Sequence, residues 1–137
     1  MTEDDDVTAA IEAAYALDRA GDEHGAIRHY DRAWRLGVPA SQRKRFVVGY
    51  GSTLRNVGRT DDAVAVLAEA VRDYPDYPAL QAFLGLALHS AGQPQAALAT
   101  MLGVVLDLAG AEALDGYERA LGEYHDELLA AIVPRLS

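Results

Sequence analysis

The residues best suited to chemistry in this chain sit on one short stretch. Arg45, Val48, Ser52 and Arg55 follow one another at three- and four-residue spacing, with Asn56 alongside, which on a helix places them near one face. Two guanidinium groups, a hydroxyl and an amide are a binding set rather than a reacting one. Arginine can hold a carboxylate through two parallel hydrogen bonds, and asparagine can both donate to and accept from a peptide backbone. Nothing nearby supplies catalysis. Ser52 lies in mid-helix, not on the strained turn that exposes a nucleophile. Of the four histidines, His24 and His29 are five residues apart and point to divergent sides of a helix. None of the four belongs to an HxxxH or HExxH pattern. The glycines fall at helix ends and seams, so there is no phosphate-cradling loop. Without cysteine there is no thiolate chemistry and no disulfide framework. The chain is expected to be no enzyme, with no catalytic residue, no metal and no cofactor.

Those residues must be positioned by a domain of 137 residues, half of them apolar, long enough to bury a core. No run approaches the roughly 20 apolar residues of a membrane span. The opening Thr2-Glu3-Asp4-Asp5-Asp6 is acidic, unlike the basic start of a signal peptide, so a cytoplasmic protein is expected. Eleven of the twelve cationic residues are arginine, which with abundant alanine and glycine suggests GC-rich bacterial coding. The formal charge of −9 opposes binding to nucleic acid or an anionic membrane. Arg43-Lys44-Arg45 is then a solvated helix start rather than a phosphate-binding patch.

Apolar residues recur with helical period throughout, and no stretch alternates long enough to predict a strand. Residues 1–6 read as a flexible acidic lead-in. Helices are predicted from Val7 to about Ala20, from Asp22 to Leu36, from Pro39 or Ala40 to Val57, and from about Asp61 to Tyr74. Pro78 and Pro94 open two more, ending at Gly92 and near Gly110, and a last one runs from Glu112 to about Val133, stopped by Pro134. Residues 134–137 are a tail. The turn glycines Gly21, Gly58 and Gly92, and the alanines Ala26, Ala63 and Ala97 that open each second helix, step by 37 and then 34 residues. A bulky residue follows each alanine four positions later: Tyr30, Leu67 and Met101. The three extra residues of the first step fall in the Gly37–Arg45 connection.

A helix–turn–helix unit of about 34 residues with this pattern resembles the tetratricopeptide repeat. The middle copy carries the likeness best, with Val47, Tyr50, Gly51 and Leu54, then Ala63, Leu67, Ala70 and Pro75. The third has Leu84, Gly85, Leu88, Ala97 and Met101 but no closing proline. The first has Ala14, Leu17, Ala26, Tyr30 and Ala33. Where the motif starts with tryptophan, this chain has Ala10, Val47 and Gln81. The strings GSTLRNVGRTDDAVAVLAEAV, AFLGLALHSAGQPQAAL and YERALGEYHDEL are similar to the bacterial tetratricopeptide repeat group 5. That resemblance implies an all-α, right-handed α-solenoid of three helix pairs, about residues 7–38, 44–75 and 78–110, plus a capping helix over 112–133. It also implies an interaction role, with a dimer as one form of it, and supplies no catalytic residues.

In such a stack the first helix of each pair lines the concave side. The third helix then presents Arg45, Ser52, Arg55 and Asn56, the first presents Ile11, Tyr15, Asp18 and Arg19, and the fifth presents Ala82, Leu86, His89 and Ser90. The expected groove is cationic at its centre and apolar at its flanks, suited to an acidic or C-terminal peptide segment of a protein partner. The alternative is that Arg55 pairs with Asp18 or Asp22 and only braces the stack. Relatives that clamp chaperone tails use lysine and asparagine where this chain has Ile11, Tyr15, Val48 and Ser52, which disfavours that ligand. The last helix spaces Leu114, Tyr117, Leu121, Tyr124, Leu128 and Ile132 by three or four, with Leu129 and Val133 beside them. One side must cover the third pair. Tyr117, Tyr124 and Leu129, if left uncovered, would form a patch for a homodimer, the second functional reading.

Overall fold

Four glycines with left-handed backbone divide most of the chain into helices: Gly21, Gly37, Gly58 and Gly92 have φ of 81°, 100°, 90° and 77°. An L-side chain in that conformation meets its own backbone, whereas glycine does not. The computed structural model describes residues 2–136, with side chains from 2 to 132. The helices are α1 (Glu3–Arg19), α2 (Glu23–Leu36), α3 (Ala40–Asn56), α4 (Thr60–Asp73), α5 (Pro78–Ser90), α6 (Pro94–Leu108), α7 (Ala111–Leu114) and α8 (Glu118–Leu136). No strand occurs among the described residues. α1–α2, α3–α4 and α5–α6 pack as antiparallel pairs, and α8 packs on α6.

Two boundaries differ from the sequence reading. α1 starts at Glu3, four residues before Val7, because Thr2 accepts from the Asp5 backbone N–H while the Asp5 carboxylate accepts from that of Thr2. This reciprocal cap satisfies donors that a helix start leaves unpaired. The expected single capping helix is two. Asp115 and Gly116, with φ of 52° and 83°, break it into the short α7 and the long α8, an aspartate–glycine turn of the kind that interrupts helices. α8 continues past Pro134 to Leu136. The side chains of Val133 and of the tail 134–137 lie outside the described set.

The seams follow the repeat. A Cβ built on Gly51 would fall 2.6–2.8 Å from Leu67 side-chain carbons, and one on Gly85 would fall 2.9 Å from the Met101 methyl. Each close approach therefore joins the glycine of one helix to the bulky marker of the next. In the first pair the equivalent of Gly51 is Ala14, fully buried.

The three extra residues of the first step lengthen a helix rather than a loop. α3 has 17 residues where α5 has 13, and the segment before α3, Gly37–Pro39, is one residue shorter than Tyr74–Tyr77 before α5. The added first turn of α3 lies against that later segment. The Tyr74 hydroxyl reaches the Ala40 carbonyl at 3.4 Å, and Lys44 Nζ sits 5.1 Å from the Tyr77 ring centre, within cation–π range.

The stacking follows one scheme: α5 packs on both α3 and α4, and α3 packs, less extensively, on both α1 and α2. Aromatic rings fill that junction. Tyr30 meets Phe46 edge-on at 5.4 Å and Tyr50 in a stack at 5.9 Å, and Trp34 lies parallel to Phe46 at 6.1 Å. These are the separations aromatic rings prefer.

Candidate binding groove

Tyr30 reaches from α2 toward the concave side and donates a 2.6 Å hydrogen bond to Asp18 of α1. Burial pushes its ionisation well above the ordinary tyrosine value, and the Asp18 carboxylate pushes it further. Tyr30, Tyr15, Asp18, Arg19 and Gly49 surround an open depression of about 350 Å³ between α1 and α3. Gly49 is required there, since a Cβ would fall 2.6 Å from the Tyr30 hydroxyl oxygen. Tyr15 packs edge-on against Tyr30 at 6.1 Å. Burial raises its ionisation, and the Arg45 charge pulls it partly back. Arg45 thus lies within electrostatic reach of Tyr15, outside the residues that line the depression.

The remaining residues divide into two groups. Arg45 is exposed and makes no hydrogen bond or ion pair among the described residues. His89 and Leu86 are exposed on α5, and Ser52 is half-buried on α3. Arg55 and Asn56, by contrast, are engaged. Arg55 Nε donates to Ser90 Oγ at 3.0 Å, tying α3 to α5, and Asn56 donates to Glu23 at 2.6 Å, tying α3 to α2. Arg55 therefore braces the stack, through Ser90 rather than through Asp18 or Asp22. Two neighbours expected in the groove belong elsewhere: Ile11 is 3% exposed and Val48 packs against the core. Of the other histidines, His24 is exposed, and no group of three or more metal-ligating residues occurs among the described residues.

A second polar cluster was not foreseen. Asp31 of α2 accepts from the Tyr50 hydroxyl at 2.5 Å and from Arg59 at 2.7 Å, and Arg59 also pairs with Asp62 at 3.0 Å. Burial, then the bond to Asp31, raises the Tyr50 ionisation, and both carboxylates hold Arg59 firmly protonated. The repeat register could have shown Tyr50 near α2, but the partner choice depends on how far α3 is displaced.

At the far end the expected patch is open. Tyr117, Tyr124 and Leu129 are 65%, 60% and 44% exposed, and Leu98, Val105 and Leu108 of α6 are exposed as well. Leu98, Leu102, Tyr124 and Leu128 line a depression of about 450 Å³ between α6 and α8. Leu114, Leu121 and Leu128 are half-buried.

Stacked antiparallel helix pairs joined by left-handed glycines, with close seams repeating at 34-residue spacing, define a helical-repeat solenoid with an end cap. The family model described as Tetratrico peptide repeat matches residues 7–128, and the chain belongs to that family. No curated protein and no solved structure matches it. Tetratricopeptide repeats are in general non-catalytic protein–protein interaction modules. No helix among the described residues is long and apolar enough to cross a membrane.

Proposed function

We propose that this chain is a non-catalytic scaffold of the cytoplasm that holds an acidic or C-terminal peptide segment of a protein partner in its concave groove. The observation that carries this reading is Arg45, an exposed guanidinium within electrostatic reach of Tyr15 and without a partner of its own among the described residues. In this reading His89 and Leu86 extend the surface across α5, and Ser52, Arg55 and Asn56 continue it along α3. Arg45 would take a carboxylate and the tyrosine ring would cover the adjoining chain. The test is titration of a glutamate-containing peptide with a free C-terminal carboxylate against its amidated, glutamine-containing counterpart. Saturable binding that favours the acidic peptide and is lost in Arg45→Glu supports the groove. Equal binding by wild type and variant overturns it.

The apolar end supports a second reading, a homodimer through α8. Tyr117, Tyr124 and Leu129 would cover the same residues of another copy, together with Leu98 of α6. Light scattering across a concentration series decides it: a strict monomer at high micromolar concentration overturns the dimer, and a dimer lost in Tyr124→Glu supports it.

A further inference from the structure

The junction between the first two pairs also opens on the outer side, away from the groove. Between α2 and α4 lies a cleft of about 180 Å³, floored by Trp34, Val38, Val47, Val66 and Ala70. Arg43, in the first turn of α3, lines it as well. Arg43 in that turn donates a 2.9 Å hydrogen bond to the Val38 carbonyl, fixing Val38 at 2% exposure under one end of the opening. α2 and α4 have little direct packing on one another, since each packs chiefly on the helix that follows or precedes it.

Size and charge restrict what could fill it. An apolar cavity of about 150 Å³ holds a benzene molecule, so this cleft has room for one large side chain rather than a whole ligand. Glu69 and Asp73, one turn apart on α4, stand at its rim, exposed and without an ion-pair partner among the described residues. Arg43, the cation nearby, is turned to the Val38 carbonyl. The net charge of −9 adds a long-range field that draws cations in.

We propose that this outer cleft is a second recognition site, receiving a phenylalanine- or leucine-sized side chain from a partner segment that carries an adjacent lysine or arginine. The apolar side chain enters between Trp34 and Val66, and the neighbouring cation faces Glu69 and Asp73. The site is independent of the concave groove, and a partner could engage both faces.

Trp34 is the sole tryptophan, so its emission reports the cleft directly. The probes are N-acetyl-Phe-Arg-amide, N-acetyl-Phe-Glu-amide and N-acetyl-Gly-Arg-amide, titrated into the intact chain with backbone amide shifts followed in parallel. Expected is saturable, low-millimolar binding of the Phe-Arg probe, moving Trp34 emission and the amides of Val38, Val66 and Ala70. By these cleft signals the other two probes should bind roughly tenfold more weakly or not at all, whatever the Phe-Glu probe does at Arg45. Glu69→Lys with Asp73→Lys, both exposed and compatible with the helix, should reverse the preference toward Phe-Glu. Arg45→Glu should leave binding unchanged. Equal binding of the Phe-Arg and Phe-Glu probes, or amide shifts confined to Tyr15 and Arg45, overturns the proposal. So does Trp34 emission that changes with protein concentration alone, which would place a second copy in the cleft.

Discussion

Leu67 of α4 fills the space that a side chain on Gly51 of α3 would need, with three of its carbons within 2.8 Å of an ideal Cβ. Both residues are fully enclosed. The corresponding contact in the next pair is looser in kind, since the atom nearest Gly85 is the terminal methyl of Met101, which can swing aside. Gly51→Ala should therefore lower stability by about 1–2 kcal/mol, the overpacking cost exceeding the gain in helix propensity of about 1 kcal/mol. Gly85→Ala should be near neutral. Urea denaturation of the two variants checks the difference, and equal midpoints would mean that Leu67 relaxes as easily as Met101.

Asp31 gathers Tyr50 and Arg59 and so joins the first pair to the second. Its ion pair with Arg59 is solvent-exposed on the arginine side and of a kind that contributes about 0–1 kcal/mol. The Tyr50 bond matters more, because that ring is 4% exposed and its hydroxyl would be left without an acceptor. Asp31→Ala is expected to cost about 1–3 kcal/mol, whereas Tyr50→Phe, which removes the donor too, should cost less. A double-mutant cycle should then show strong non-additivity. Additive losses would show that the bond contributes nothing.

Arg45 and Arg55 look equivalent in the sequence but should behave differently when reversed in charge. Arg55→Glu breaks the bond to Ser90 and so perturbs the α3–α5 junction, lowering stability as well as any groove affinity. Arg45→Glu should leave the melting curve unchanged while abolishing recognition of an acidic peptide. Thermal denaturation read alongside the peptide titration separates the two. A stability loss in Arg45→Glu comparable to that of Arg55→Glu would remove the distinction.

Three of the seven tyrosines, Tyr15, Tyr30 and Tyr50, have ionisation raised by burial. A group raised in the folded state contributes its stability below the unfolded value, near 10 for tyrosine, and loses it as the pH climbs toward the folded value. The urea midpoint should accordingly hold at neutral pH and fall progressively above about pH 10. The Tyr30 and Tyr50 phenols should ionise only together with loss of helical signal. Near-ultraviolet tyrosinate absorbance and circular dichroism, followed in one alkaline titration, test this. Full ionisation of all seven with the helical signal intact would contradict the burial of Tyr30 and Tyr50.

Much of the fold was legible because its determinants are local or periodic. Gly21, Gly58 and Gly92 mark helix ends through backbone sterics, Pro78 and Pro94 open helices, and the recurrence of Ala26, Ala63 and Ala97 set the register of the pairs. The same register marked Gly51, Leu67, Gly85 and Met101 as repeat positions, and the structure pairs them across the seams. Two local signals went unread, the Thr2–Asp5 cap and the Asp115–Gly116 break, although both are written in short spacings.

By itself, then, the sequence determined the number of repeats, the helix order, the seams and the family, since these depend on spacing along the chain and on backbone geometry. Only the tertiary structure decided which side chains are spoken for. Arg55 carries the same guanidinium as Arg45 and Asn56 adjoins it, yet Ser90 and Glu23 take them, and those partners lie 35 and 33 residues away. Ile11 shared the periodicity of a groove residue but lies in the core. The first turn of α3 was legible as helix from Ala40, but its contacts with Tyr74 and Tyr77 join residues more than 30 positions apart, which no local spacing encodes.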